Sequence, residues 1–562
     1  MNFLEKIDLI DLLINSTDEL YLFFILFVFF ITIIFSQINN KFLLNFKLSL
    51  FVVYFSIFLN IAYTFFNLFF IYAITISHSL LQVIDISLLD LFYILLDSNY
   101  QNITDLLIKS ILTLSISIWF IVYATIIKNK YTKKENTNYE IIILYLLTTY
   151  LLLKLISSTD MLMFVLTLES QNLALCIICA YTVFDKGVSK IEAALKLYIT
   201  SAAGSGFLLL GCSILYGSTG TINFLDIATQ LKSRFLEQVL YILENILSQI
   251  ISSTDIEEEL LIYYSTITLN EKISILLLII GILCFFISIA FKIGQVPFHL
   301  WMADVYNGGN TLFVSYLAIF PKIAIGYFFS KSIIFYFNSN LLLLKLLFIS
   351  GFLTIIIGIL GALYQKKIKS FIAYSSIANL GYLILLSSAA NIINSNILIT
   401  ISVIFITNYA LIILQIFISL FSNIYIINHN NNTNTKEITY LNELSGYWKI
   451  NKINSIFLII SFLALIGIPP ILGFLIKFYI VTLLITNKLI LVSWSFLILG
   501  VISTFYYLKI IKIIIFDNVN KNLYLIKNYI LNKWTQINIV LMQCLLFLKP
   551  LILICVILII LL

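Results

Sequence analysis

The fold is decided by two apolar stretches that each carry a lysine and a proline, FKIGQVPFHLW at residues 291–301 and IGIPPILGFLIKFY at residues 466–479. Proline has no backbone N–H and interrupts a helix. In a membrane, the carbonyl groups that a broken helix frees are tolerated only where they are buried in protein or line a polar cavity. Both stretches therefore predict helices that are broken inside a membrane protein, beside Lys292 and Lys477.

The composition of the whole chain agrees with a membrane protein. Of its 562 residues, 61% are hydrophobic and only 11% are charged, and the mean hydropathy is +1.06. Soluble domains have about 25% charged residues, so the composition excludes a soluble globular protein. Because about 20 consecutive apolar residues suffice to span a bilayer, we expect an all-α polytopic membrane protein.

Hydropathy in windows of about 19 residues predicts fourteen membrane spans. They are 20–37, 50–73, 106–127, 140–157, 161–184, 191–216, 273–297, 310–330, 340–365, 370–389, 395–427, 453–484, 489–508 and 537–562. Spans 7 and 12 contain the proline-interrupted stretches, a placement typical of inverted-repeat transporters. We therefore expect two inverted five-helix repeats, spans 4 to 8 and 9 to 13. The chain accordingly divides into an N-terminal segment with helices 1 to 3 (1–139), a first half (140–330), a second half (340–512) and a C-terminal segment with helix 14 (513–562).

The distribution of basic residues gives an expected orientation. Loops that follow odd-numbered spans contain nineteen lysines, whereas loops that follow even-numbered spans contain five basic residues. Cytoplasmic or matrix loops carry the excess of Lys and Arg in membrane proteins. We therefore expect the odd-numbered loops to face the cytoplasm or matrix and both termini to lie on the outer side.

Two polar segments separate the spans. The segment 217–272, expected on the outer face, contains three consecutive glutamates at 257–259, and the apolar spacing over 235–251 predicts an amphipathic surface helix. We interpret 217–272 as a solvated surface insertion, with a docking site for a partner as the alternative. The inner segment 428–452 is rich in asparagine and is expected to be a flexible loop.

Eight lysines fall within predicted spans, where a lysine at the helix centre costs about 2.5–3.5 kcal/mol on insertion scales. Lys109, Lys154 and Lys345 lie near span ends, and we expect them to extend toward the lipid headgroups. No role is predicted for Lys549, which lies deeper in its span. The remaining four are Lys196, Lys292, Lys322 and Lys477.

Lys322 is the strongest functional candidate among the lysines, and Glu169 is its acidic counterpart. Lys322 follows Pro321 in the middle of span 8, beyond easy reach of either end. Glu169, in LTLESQNLALC, is the only acidic residue deep inside a predicted span. A buried carboxylate must be neutral or paired, and the charge of a buried lysine depends on how near such a carboxylate lies. A Glu–Lys pair whose separation changes is therefore a physical means of loading and releasing a proton.

Redox and metal chemistry are not expected in this chain. The six cysteines lie in apolar runs, and the C-x-x-C of Cys176 and Cys179 has no second ligand pair, a pattern typical of inert core thiols. The three histidines lie outside the predicted spans, so a haem held by two histidines inside the bundle is not available. The sequence also lacks a G-x-G-x-x-G dinucleotide fingerprint.

The amino-acid usage indicates where the gene resides. Every basic residue except Arg234 is lysine, and the abundant residues are those with codons rich in A and T. Organellar genomes fit this pattern, with an AT-rich bacterial or parasite genome as the alternative. The first twenty residues are acidic, unlike an Arg-rich import signal, and this favours synthesis inside the organelle.

Five motifs carry a resemblance to a known family. They are IEAALKLYITSAAGSGFLLLGCSILYGSTGT (191–221), FKIGQVPFHLWMADVYNGG (291–309), PKIA (321–324), ALYQKKIKSFIAYSSIANLGYLI (362–384) and GIPPILGFLIKFY (467–479). From about Tyr139 to Lys512 the chain resembles the antiporter-like membrane subunits of respiratory NADH:ubiquinone oxidoreductase (complex I). The stretches LYGSTGT and YSSIANLGYL favour subunit 2 among them, whereas the first hundred residues match only in hydrophobic character.

The resemblance implies a proton route that consists of a Glu–Lys pair, a central relay lysine and an exit lysine. Lys196, in EAALK, matches a sixth-helix lysine that is a further candidate, and His299 is placed to bridge the lysines of spans 7 and 8 or to serve as a structural histidine. The resemblance further implies FMN, iron–sulfur clusters and ubiquinone in other subunits of the complex. In order along the route, the matching residues are Glu169, Lys292, Lys322 and Lys477.

The sequence thus predicts a proton-translocating subunit 2 of complex I in the mitochondrial inner membrane, coupled to quinone reduction elsewhere and without a cofactor of its own. Expected partners are membrane-arm subunits on both flanks, accessory subunits at the outer-face insertion and phospholipids including cardiolipin; no nucleic-acid partner is expected. Two alternatives remain open. One is an Mrp-type cation/proton antiporter subunit, and the other is a structural spacer subunit without a proton path.

Overall fold

A computed structural model describes residues 17–30, 32, 41–81, 89–132, 139–181, 188–232, 258–390, 395–430, 439–450, 452–468, 472–486 and 490–518. The described part is helical, and its β-structure is limited to two isolated bridges, Asp160 with Asn223 and Lys367 with Tyr440. A π-helical turn, Ser332–Tyr336, and a 3₁₀ turn, Leu441–Leu444, complete the regular structure of these residues.

The helices run in the following order. They are α1 (17–30), α2 (Lys41–Leu81), α3 (Leu89–Thr132), α4 (Tyr139–Ile156), α5 (Met161–Tyr181), α6 (Val188–Thr219), α7 (224–232), α8 (Glu258–Ile293), α9 (Leu300–Gly308), α10 (Thr311–Lys331), α11 (Leu341–Tyr364), α12 (Ile368–Ser388), α13 (Ser395–Asn430), α14 (Tyr447–Ile450), α15 (Lys452–Ile466), α16 (Leu472–Thr486) and α17 (Ile490–Ile515).

Eleven described helices are long and apolar enough to cross a membrane. They coincide with predicted spans 2 to 11 and 13, so the prediction of an all-α polytopic membrane protein is confirmed. Span 12 corresponds to two shorter apolar helices, α15 and α16, and span 1 is described in part by α1. Span 14 with Lys549, the expected surface helix at 235–251 and residues 431–438 of the inner loop lie outside the described residues. The expectation of a flexible loop over 428–452 is wrong for 439–450, which contain the 3₁₀ turn and α14 and in which Leu444 and Tyr447 are each 1% exposed.

Both predicted helix breaks are present. Helix α8 ends one residue after Lys292, and the short helix α9 begins only at Leu300. Between them Gly294 has a φ of 80°, a left-handed conformation that favours glycine. In the second half, α15 ends at Ile466 and α16 begins at Leu472. Lys292 and Lys477 therefore each lie near interrupted helix ends.

Helix α10 lies at the centre of the bundle. All of its side chains except that of Leu312 are buried, and it packs against α3, α4, α12 and α13. Trp119 of α3 donates its indole N–H to Ser315 at 2.8 Å, and the hydroxyls of Thr148 in α4 and Tyr316 lie 2.8 Å apart. These contacts fix the helix that carries Lys322.

Two lysines that were expected to reach the headgroups are paired inside the protein instead. Nζ of Lys109 lies 2.7 Å from Oδ2 of Asp18, and both side chains are fully buried. Lys154 Nζ lies 3.7 Å from the same oxygen and is 13% exposed, and Tyr63 donates its hydroxyl to the other oxygen. The headgroup prediction is wrong for Lys109 and Lys154 because a carboxylate distant in sequence provides an internal partner. Lys345 is exposed on α11.

Three charged residues that hydropathy assigns to loops are buried on helices. Lys331, in the last turn of α10, pairs with Asp105 of α3, with 2.6 Å between Nζ and Oδ2. Tyr327 donates its hydroxyl to the other oxygen of Asp105 at 2.5 Å. Lys369 lies in the first turn of α12 and is 8% exposed. A hydropathy window assigns these residues to loops because each charged side chain lowers its score. The score takes no account of a hydrogen-bond or ion-pair partner inside the protein.

The first part of the 217–272 segment belongs to the core rather than to a solvated insertion. In α7, the side chains of Phe224, Ile227 and Leu231 are at most 1% exposed. The ring of Phe224 stacks on that of Tyr336, with centroids 5.4 Å apart. This part of the segment therefore anchors the connection between α6 and α8, and residues 233–257 lie outside the described residues.

Candidate functional site

Helices α5, α6 and α8 bring Glu169 and Lys292 together, as the sequence predicts. Nζ of Lys292 lies 3.4 Å from Oε1 of Glu169 and donates to the backbone carbonyl of Ser201 at 3.1 Å. A Cβ at Gly204 would lie 3.4 Å from Lys292 Cε, so the small residue leaves room for the lysine stem. The pair combines a carboxylate with an ammonium that has a second, uncharged acceptor.

Lys322 lies in a different environment, formed by neutral groups. Its Nζ donates to Ser376 Oγ of α12 at 2.7 Å and lies 3.4 Å from Met302 Sδ and 5.3 Å from the ring centroid of Tyr306. Among the residues that the structure describes, no carboxylate lies within ion-pair distance of Lys322. A buried lysine without a counter-ion is poised to change its protonation state.

A small cavity adjoins Lys322. Its volume is about 10 Å³, and it lies between α10, α12 and α13, where Tyr409 and Phe405 contribute to its wall. A site needs roughly 10–15 Å³ to hold one water molecule. The wall is almost wholly apolar, so the cavity beside Lys322 is of the kind that stays dry.

Lys477 lies against the broken helix of the second half. From α16 its Nζ donates to the carbonyls of Leu465 at 3.0 Å and Ile466 at 2.9 Å, the last carbonyls of α15, and it lies 5.6 Å from the ring centroid of Tyr382. The carbonyl end of a helix carries partial negative charge. Lys477 thus satisfies the polar groups that the helix break frees.

The two further candidates stand apart from this set. Lys196 is 41% exposed and pairs with Glu192 of the same helix and with Asp304 of α9, each at 2.8 Å. His299 is 9% exposed and directly precedes α9. Within the described part of the chain, His299 makes no hydrogen bond with Lys292 or Lys322, and its Nδ1 has no hydrogen-bond partner there.

Sequence reasoning missed the neutral groups around Lys322. Ser376, Met302 and Tyr306 are common residues, and nothing in their local sequence marks them as neighbours of a lysine on another helix. A weak signal exists in YSSIANLGY, where hydroxyl residues interrupt an apolar span.

The three sites differ in chemistry. One is an ion pair, one is a lysine among neutral groups, and one is a lysine that donates to helix carbonyls. Each of them can hold a proton.

Comparisons with known proteins agree with this architecture. A family model described as NADH:quinone oxidoreductase/Mrp antiporter, TM, matches residues 158–505. Subunit N of an NADH-quinone oxidoreductase from Pelagibacter ubique is 32% identical over 367 residues, 65% of this chain and 66% of the relative. NADH-ubiquinone oxidoreductase chain 2 of Marchantia polymorpha is 31% identical over 389 residues, 69% of each chain. The matched region thus spans about two thirds of the length of these relatives.

Solved structures share the fold. A chain of respiratory complex I from Thermus thermophilus gives a TM-score of 0.56 at 20% identity, over 80% of this chain and 85% of that one. A chain of the Mrp complex from Dietzia sp. gives a TM-score of 0.56 at 17% identity, over 74% of this chain and 66% of that one. Since the family model covers more than half of the sequence and includes both broken helices, the chain belongs to the NADH:quinone oxidoreductase/Mrp antiporter membrane family.

Proposed function

We propose that the chain is the proton-translocating, antiporter-like subunit 2 of the membrane arm of a mitochondrial complex I. The observation that carries the proposal is that the expected ionisable groups occupy graded environments, from an ion pair to a neutral pocket to a helix break. The names of the relatives, subunit N and chain 2 of NADH oxidoreductases, support the choice of complex. The residues assigned to the route are Glu169, Lys292, Lys322 and Lys477.

Proton loading takes place at the Glu169–Lys292 pair. The carboxylate stabilises the ammonium form of Lys292 because an opposite charge nearby favours the charged form of a group. A field or movement transmitted from quinone reduction elsewhere in the complex draws the pair apart. Lys292 then holds its proton less firmly and passes it toward the centre of the bundle.

Lys322 acts as the central relay. Its neighbours Ser376, Met302 and Tyr306 are neutral, so they orient the amine without fixing its charge. Because a buried ammonium without a counter-ion is costly, Lys322 carries a proton only transiently. The adjoining cavity is small and mostly apolar, so water does not compete for the amine on that side.

Lys477 is the exit group. The carbonyls of Leu465 and Ile466 and the face of Tyr382 stabilise an ammonium at this point. Those groups are dipoles rather than full charges, so the proton is held less strongly than in an ion pair with a carboxylate. Lys196 and His299 are secondary candidates, since neither contacts this series in the described part of the chain.

The proposal assigns no redox step to this chain. FMN, iron–sulfur clusters and ubiquinone belong to other subunits of the complex, and this chain contributes proton transfer. We place it in the mitochondrial inner membrane with odd-numbered loops toward the matrix. Its partners are subunits on both flanks, accessory subunits at the 217–272 segment and phospholipids including cardiolipin. The two halves, 140–330 and 340–512, are proposed as the inverted repeats, between an N-terminal segment (1–139) and a C-terminal segment (513–562).

The assignment to a complex is tested first. Detergent-solubilised organelle membranes are separated on a native gel and stained for NADH oxidation, and peptides of this chain are sought by mass spectrometry in the active band. We expect the chain in an active band far larger than its own 64.4 kDa. Its presence only in small inactive bands would favour the Mrp-type antiporter, whose signature is sodium- or potassium-driven proton exchange.

The proton route is tested by stoichiometry. We expect Lys322→Met and Glu169→Gln to leave the complex assembled while lowering the number of protons moved per electron. Lys345→Met, at an exposed lysine of α11, is the matched control. It should change neither the assembly of the complex nor the number of protons moved per electron. An unchanged ratio in the two route variants would contradict the proposal and favour the structural spacer.

A further inference from the structure

The short helix α9 supplies part of the environment of Lys322. It contains nine residues, and two of them, Met302 and Tyr306, contact the Lys322 amine at 3.4 Å from Sδ and 5.3 Å from the ring centroid. The helical structure is interrupted on both sides of α9, so α9 is not a continuation of α8 or α10 and helix continuity does not fix its position. The placement of Met302 and Tyr306 therefore depends on what holds α9 from the side.

Lys369 holds the carboxyl end of α9. Its Nζ donates to the backbone carbonyl of Gly309, the C-cap residue of α9, at 2.8 Å, and the side chain is 8% exposed. The last carbonyls of a helix lack partners within the helix. A buried ammonium at this point satisfies the Gly309 carbonyl.

Helix α12 carries both this contact and the acceptor of Lys322. Ser376 lies about two turns after Lys369, hence on the same face of the helix. Its hydroxyl accepts from Lys322 Nζ at 2.7 Å and lies 3.3 Å from Met302 Sδ. One helix therefore fixes the end of α9 through Lys369 and the amine of Lys322 through Ser376.

The start of α12 is itself held in place. The backbone N–H of Ile368 donates to Thr439 and that of Leu441 donates to Lys366, at 3.0 Å and 2.9 Å. The first turn of α12, with Lys369, thus forms a fixed point rather than a frayed helix end. Burying a lysine at such a point is costly unless its ammonium has an acceptor, which the Gly309 carbonyl supplies.

We infer that Lys369 is a positioning residue for proton transfer at Lys322, which it aligns by holding α9 through the Gly309 carbonyl. This inference rests on the proposed function. Lys369 does not carry the proton along the route. It sets where the thioether of Met302 and the ring of Tyr306 stand relative to the Lys322 amine.

The main test is Lys369→Met, assayed in the intact complex. We expect assembly and NADH oxidation to be retained and the protons moved per electron to fall by at least half of the loss caused by Lys322→Met. Lys369→Arg keeps a charged donor and should restore the ratio. Lys366→Met, at an exposed lysine three residues earlier, is the matched control and should have no effect.

A double variant distinguishes positioning from general destabilisation. If Lys369 acts through Lys322, the Lys322→Met/Lys369→Met variant should lose no more than Lys322→Met alone, because residues that act as a unit are not additive. Additive losses, no loss in Lys369→Met, or no rescue by Lys369→Arg would overturn the inference. If Lys322→Met itself leaves the ratio unchanged, the proposed function fails instead.

A second variant covers the case in which Lys369→Met does not assemble. A Cβ at Gly309 would lie 3.0 Å from Phe313 Cδ1, 3.0 Å from Val314 Cγ2 and 3.1 Å from the backbone oxygen of Val305, so Gly309→Ala crowds the turn that carries this carbonyl without changing any charge. We expect a lowered proton-to-electron ratio with NADH oxidation retained. A normal ratio in Gly309→Ala would overturn the inference.

Discussion

Glu169 and Lys292 lie 3.4 Å apart but are covered unequally, with the carboxylate side chain 32% exposed and the lysine side chain only 3%. The lysine is enclosed by this chain, whereas the carboxylate reaches the surface of the bundle. A neighbouring molecule can therefore contact the Glu169 carboxylate, whereas the Lys292 side chain is covered by this chain. In the proposed route, this asymmetry assigns the glutamate to the outer end of the pair and the lysine to the inner end.

The first prediction concerns this pair. Glu169→Gln and Lys292→Met should each lower the number of protons moved per electron in sealed membranes. Because the two groups act as one unit, the double variant should lose no more than the more affected single variant. Glu192→Gln, at a carboxylate that is 61% exposed on α6, is the control for the removal of one negative charge. Losses that add up in the double variant would contradict the pairing.

The second prediction concerns the acceptor of Lys322. Ser376→Ala removes the hydroxyl that lies 2.7 Å from the amine, and such a bond is typically worth about 1.5–3 kcal/mol while the amine is protonated. We expect a lower proton-to-electron ratio, with a smaller loss than in Lys322→Met, since the amine itself remains. Ser388→Ala, at the end of the same helix, removes a hydroxyl that bonds only to the carbonyl of Leu385 in its own helix, and it should leave the ratio unchanged.

The third prediction concerns the buried ion pair of the N-terminal helices. Lys109→Met leaves Asp18 with a weaker partner, Lys154 at 3.7 Å, and breaking a buried pair costs about 3–5 kcal/mol. We expect less assembled complex on a native gel and a lower thermal midpoint. Asp18→Asn combined with Lys109→Met and Lys154→Met removes all three charges of the cluster and should recover much of the loss. A single variant that assembles normally would show that the pair adds little stability.

The sequence was sufficient to predict the helical architecture and the two breaks. Membrane spans follow from local hydropathy, and Pro297 marks its break because the missing N–H acts where the residue stands. The spans and the breaks share a cause, since each rests on a property carried by the residue itself or by its immediate neighbours. The Glu169–Lys292 pair joins residues 123 positions apart, so it was expected from the family resemblance alone, and its role in proton transfer stays a prediction.

The wrong predictions concern residues whose environment is set by partners distant in sequence. Lys109 was expected at the headgroups because its partner, Asp18, lies 91 positions away, and Lys369 was counted in a loop because its acceptor, the Gly309 carbonyl, lies 60 positions away. Every residue has a backbone carbonyl, so a carbonyl acceptor cannot be recognised from the residue type. The packing of Phe224 into the core was missed for the same reason, because a short apolar helix within a polar segment resembles a surface helix until its partners are known.

The last prediction concerns the close approach of the two halves of the second broken helix. A Cβ at Gly473 would lie 2.2 Å from the carbonyl oxygen of Ala464, so Gly473→Ala must push α16 away from α15. Overpacking of this kind typically costs about 1–3 kcal/mol. Lys477 on α16 donates to the last carbonyls of α15, so the displacement should weaken its contacts and lower the proton-to-electron ratio. Gly500→Ala is the matched control, because a Cβ there meets nothing within 4 Å. Equal effects of the two substitutions on the ratio would mean that the spacing of α15 and α16 does not govern Lys477.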